Sequence, residues 1–121
     1  MRFGGVREIV NKSASYTVRP DNPDHSGVLF ETTGATGTVT FTLPTLNAAK
    51  KGWWCEFHNT VNQNMTVTAA SGKAITDGNA AATSLTASTA SHKIGAKIRA
   101  EWMGTFWFLS GLNAGVTYTV A

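Results

Sequence analysis

The chain has 121 residues, only 14% of them charged, with a formal net charge of +3 and a single cysteine, Cys55. One domain of this length can hold one core, the lone cysteine excludes an internal disulfide framework, and the scattered Lys and Arg residues form no concentrated stripe able to neutralise a run of phosphates. No apolar run approaches the roughly 18 residues of a membrane-spanning helix and the N-terminus lacks the apolar core of a signal peptide, so the expected setting is synthesis in a reducing cytoplasm, with neither a nucleic-acid nor a membrane partner.

Residues 1–14 differ from the rest: two adjacent glycines (Gly4, Gly5), mixed charge, and isolated apolar residues at Phe3, Val6, Ile9 and Val10. The stretch is too short and interrupted for an isolated helix and is expected to be an extended arm, whose apolar residues dock on something, in preference to a frayed terminus. From residue 15 onward the pattern is one of short strands between turn clusters. Strands are expected near 15–19, 28–32, 38–43, 53–58, 65–69, 74–76, 84–87, 94–102, 105–109 and 116–120. The clearest is Thr38-Val39-Thr40-Phe41-Thr42-Leu43, where strict alternation gives one apolar and one hydroxyl face. Residues 46–52 are expected to form one helical turn closed by Gly52. The Ala/Ser/Thr-rich stretch 80–91 reads either as a small-residue strand with long loops or as a mobile surface region. This order of elements predicts an all-β, single antiparallel domain over 15–121, a β-sandwich (jelly-roll-like) or a β-barrel, preceded by the arm at 1–14.

The aromatic residues cluster at Trp53, Trp54 and Phe57, then at Trp102, Phe106, Trp107 and Phe108. Both faces of 105–109 are apolar, as expected of a strand buried on two sides or covered by a neighbouring subunit. One core of this size is not expected to hide all four tryptophans, so a subunit interface or a stacked ligand is expected over some of them.

Chemistry-bearing constellations are sparse. His25, His58 and His92 lack metal-ligand spacing, and Asp21-Asn22-Pro23-Asp24-His25 lacks the carboxylate spacing of a calcium loop and reads as an Asx/Pro turn. Glu31, Glu56 and Glu101 fall within strands and could meet across a sheet, but nothing marks any two as a catalytic pair. Cys55, between Trp54 and Phe57 in the aromatic cluster, is expected to be a buried, inert thiol. Lys97 and Arg99 share a strand face diluted by Ala96, Ala100 and Glu101. No phosphate loop or nucleophile elbow is present. The expectation is a non-enzyme without metal or cofactor.

The series Gly27-Val28-Leu29-Phe30-Glu31, Gly34-Ala35-Thr36-Gly37 leading into the Thr38–Leu43 strand and Pro44, Gln63-Asn64-Met65-Thr66-Val67-Thr68-Ala69, Ile94 to Ala100 and Thr105 to Gly111 resembles a β-domain widespread in tailed-bacteriophage virion proteins, both small capsid decoration (cement) proteins and tail-fibre modules. The resemblance covers roughly residues 15–112, and the size of the chain favours the decoration group. It implies a homotrimer on the capsid exterior that clamps neighbouring copies of the major capsid protein. On that reading Arg2, Phe3, Val6, Arg7 and Ile9 of the arm contact the capsid, while Val116, Tyr118 and Val120 lie near the trimer interface. The alternative is a tail-fibre or receptor-binding module that stacks host glycan on exposed tryptophans.

Overall fold

The computed structural model describes residues 7–21, 23–76, 78–113 and 116–121. Among them run twelve strands: β1 (Ile9–Asn11), β2 (Tyr16–Thr17), β3 (Leu29–Glu31), β4 (Val39–Thr42), β5 (Trp54–His58), β6 (Met65–Thr68), β7 (Ala74–Thr76), β8 (Asn79–Ala82), β9 (Ser84–Ala87), β10 (Lys97–Trp102), β11 (Trp107–Gly111) and β12 (Thr119–Val120). A 3-10 turn, Ala48–Lys50, stands in place of the expected longer helical turn. The Asn47 side chain caps it by accepting from the Ala49 amide, and Gly52 follows at φ +94°. A side chain there would meet its own backbone, so the position favours glycine.

The strands form two sheets that share one core. The larger has the order β1-β3-β5-β10-β11-β7-β8 and the smaller β12-β9-β6-β4-β2. Among the described strands each keeps two free ends, and neither closes into a barrel. The expected purely antiparallel pairing is corrected: β1 with β3, β3 with β5, β2 with β4, β4 with β6 and β7 with β11 all run parallel. The cause is the path of the chain. From β1 to β6 successive strands alternate between sheets, so every second strand returns to its own sheet in the original direction. A parallel neighbour needs such a crossover, and here a strand of the opposite sheet supplies it. Adjacent-strand hairpins appear only later, as β7–β8 and β10–β11.

The alternation in β4 resolves as expected: Val39 and Phe41 are buried, and Leu43 just beyond it, while Thr42 is exposed and Thr40 half-buried. Phe41 meets Phe30 and Phe57 of the larger sheet at ring-centroid distances of 5.5 and 4.7 Å, and Phe30 stacks on Phe57 at 5.5 Å. These three rings join the sheets.

The core hides three of the four tryptophans and leaves Trp54 half-buried, in line with the expectation that one core could not hide all four. Trp53, Trp102 and Trp107 are all buried, with Trp107 set edge-on to Trp53 at 5.9 Å and tilted against Trp102 at 5.4 Å. Burial of an indole is tolerated when its N–H finds an acceptor. Trp53 donates to the Asp24 carboxylate (3.0 Å) and Trp102 to the Asn47 carbonyl (2.9 Å). Residues 105 and 106 precede β11 instead of belonging to it, and Phe108 on its outer side is 41% exposed, so this strand is buried on one face only. Two strands were not anticipated, β1 within the arm and β8 within the small-residue stretch.

Candidate interaction surfaces

The larger sheet turns a structured polar face outward. Glu56 on β5 lies opposite Arg99 on β10 in the ladder, and its carboxylate is almost completely covered. Arg99 donates to Oε2 from Nε at 2.7 Å and approaches it through Nη2 at 2.5 Å, while Arg7 reaches Oε1 through Nη1 at 2.9 Å. Both guanidinium groups also lie over the Trp54 ring, at 5.3 Å (Arg7) and 4.8 Å (Arg99) from its centroid, where the ring quadrupole attracts a cation. Burial pushes the Glu56 carboxyl upward, but the hydrogen bonds and charges of Arg7 and Arg99 outweigh it and hold it below the usual carboxylate range. His58, two residues on, sits 3.8 Å from the same carboxylate. Its pKa is lowered, first by burial and then by Lys97.

Beside this cluster, the ladder sets Trp54, Glu101, Phe108 and Ile75 in one row across four strands. Trp54 is thus the half-exposed tryptophan, and two arginines cover its ring. The three strand carboxylates are each engaged locally or set apart. Glu31 accepts from Asn11 and from the Thr33 amide, Glu56 from the two arginines, and Glu101 lies across from Trp54. Among the described residues, no group of three or more His, Cys, Asp or Glu is placed to hold a metal ion. Cys55 is fully buried, and burial drives its thiol pKa far upward, which keeps the sulfur protonated and unreactive.

The smaller sheet turns hydroxyls outward. Thr40, Thr66, Thr86 and Thr119 form one cross-strand row, and Thr17, Thr42, Thr68 and Ser84 the next. Thr66 and Thr86 are hydrogen-bonded to each other at 2.9 Å.

Of the residues expected to reach a capsid, Arg7 is engaged with Glu56 and Trp54, and Ile9 projects from the edge strand β1 at 61% exposure. Arg2, Phe3 and Val6 lie outside the described residues. Val116, Tyr118 and Val120 are brought together: with Leu85, Gly111 and Asn113 they line a groove of about 470 Å³. Each is half-buried. The Tyr118 hydroxyl donates to the Lys97 carbonyl at 2.9 Å and accepts from the Lys97 amide at 3.2 Å, and Val120 lies opposite Leu85 in the ladder.

No protein-family model and no curated protein matches this chain.

The Arg7–Glu56–Arg99 cluster was not anticipated. Its one sequence signal is alternation: Trp54, Glu56 and His58 must share a strand face, as must Lys97, Arg99 and Glu101. Only the register of β5 against β10 places Glu56 across from Arg99.

Proposed function

We propose that this protein is a capsid decoration protein of a tailed bacteriophage, binding the outside of the head as a homotrimer and stabilising contacts between subunits of the major capsid protein. We further read its two facing sheets as a β-sandwich. The observation that carries the functional reading is the placement of the two terminal strands. Among the described strands, β1 stands at one end of the larger sheet and β12 at one end of the smaller, each with a ladder edge that no described strand pairs. Such an edge is a template for pairing with another chain. On this reading the β1 edge, with Ile9 projecting beside it, faces the capsid, and the β12 edge with its adjoining groove faces a sister subunit. Three linked copies then bind with avidity, and a ligand of the assembled shell stabilises it by mass action.

The test combines native mass in solution with co-sedimentation on capsids. Removing residues 1–14 would also remove β1 and the Arg7 partner of Glu56, so the informative truncation removes residues 1–6 alone. The full chain should run at three times its monomer mass and sediment with capsids. The truncated chain should keep the trimer mass and lose decoration. Undiminished decoration by the truncated chain overturns the arm assignment, and a monomer mass at every concentration overturns the trimer.

A further inference from the structure

At the end of the fold where the β10–β11 turn meets the segment leaving β4, the two sheets leave a half-open pocket of about 390 Å³. That volume falls within the roughly 300–1,000 Å³ range of ligand-binding pockets. Leu43, Pro44, Leu46, Trp102 and Trp107 line it, with Ala70 and Lys73 from the β6–β7 turn. Among the described residues, Thr45 and Thr105 supply the hydroxyls of the lining. A sugar would require more hydrogen-bonding partners than these, whereas a large apolar side chain suits such a lining.

Lysines flank the pocket. Lys73 lines the pocket directly, and the methylenes of Lys51 lie about 3.7 Å from the position that a Cβ on Gly104, another lining residue, would occupy. Lys50 is exposed on the adjoining 3-10 turn. None of the ten lining residues is an Asp or Glu. Lys73 and Lys51 thus set positive charge beside a largely apolar lining.

We propose that this pocket docks an acidic peptide segment of a partner protein by taking one large apolar side chain against the tryptophans and Leu43, while flanking carboxylates meet Lys51 and Lys73. A buried anchor within a charged rim is the arrangement in which the anchor supplies affinity and the rim supplies orientation and rate. The inference does not rest on the decoration reading, because its test needs no capsid.

The probe is a terminally blocked Asp-Glu-Phe-Glu-Asp peptide titrated into the full chain at low salt, read by tryptophan emission, since Trp102 and Trp107 wall the pocket. Saturable binding is expected, weakened about tenfold or more when the peptide's Phe is replaced by Ala. The Lys51→Glu, Lys73→Glu double variant changes only exposed side chains and should weaken binding by a similar factor. Ala70→Phe, filling the mouth from an exposed position, should abolish it. Folding of each variant is checked by circular dichroism. The proposal is overturned if no binding is seen up to millimolar peptide, if the Ala peptide binds equally well, or if lysine reversal leaves affinity unchanged. Phenylacetate binding as tightly as the peptide would also overturn it, making the occupant a free small carboxylate.

Discussion

His25 is 4% exposed, with its ring set edge-on to Phe30 at 5.1 Å and beside Tyr16 at 5.7 Å. Its Nδ1 accepts the Arg19 amide at 3.1 Å, and its own amide donates to the Arg19 carbonyl. The imidazole is thus held neutral, and a proton on Nδ1 would set two donors against each other. Burial is the largest influence lowering its pKa below 6.5; Lys12 and Arg19 act in the same direction, while Glu8 and Asp24 oppose them. A depressed folded-state pKa means that the unfolded chain takes up the proton first. Stability is therefore full above about pH 6.5 and declines as pH falls from there through the lowered folded-state value. Urea unfolding at about pH 7.5 and 5.5 should show that loss, bounded by about 1.4 kcal/mol per pH unit for one group. His25→Phe should reduce the slope, although His58, shifted the same way, leaves part of it. The aromatic surroundings of His25 could not be foreseen from the Asx/Pro turn in which it lies: the turn is local, whereas Phe30 and Tyr16 reach it through the fold.

At the scale of elements, β12 depends on a missing side chain. The Tyr118 ring lies across Gly111 so closely that a Cβ there would sit 2.4 Å from the ring. The ring cannot simply swing aside, because its hydroxyl is tied to Lys97 and lies 3.0 Å from Asn113 Oδ1. Gly111→Ala should displace Tyr118 and free β12 from β9, at a cost of about 1–3 kcal/mol. Hydrogen exchange should speed up at 116–121 and at the facing edge of β9, and remain slow in β5 and β10. Strands with strong alternation or an aromatic run, such as β4, β5 and β6, are legible from sequence because their own side chains specify two faces. β1 and β8 are not: Ile9-Val10-Asn11 and Asn79-Ala80-Ala81-Ala82 have weak patterns of their own. They become strands because β3 and β7 offer them a ladder.

For the molecule as a whole, the junction of the sheets is the Phe30–Phe41–Phe57 cluster, all three fully buried. Phe41→Ala should cost about 3–5 kcal/mol, a large share of the roughly 5–15 kcal/mol that holds a domain folded. Both sheets should melt in one transition at a lower urea midpoint, because the cavity lies between them. Two separated transitions would show that the sheets fold independently. By itself the sequence determined the β class, the turns, the dry face of β4 and the inert placement of Cys55, since each follows from a residue and its near neighbours. Only the tertiary structure decided the parallel pairings, the burial of three tryptophans, the seat of Glu56 between Arg7 and Arg99, and the pocket rimmed by Lys51 and Lys73. Each depends on which strand crosses to which sheet and in what register, and that choice is made by long-range packing of many similar two-faced strands that local pattern leaves interchangeable.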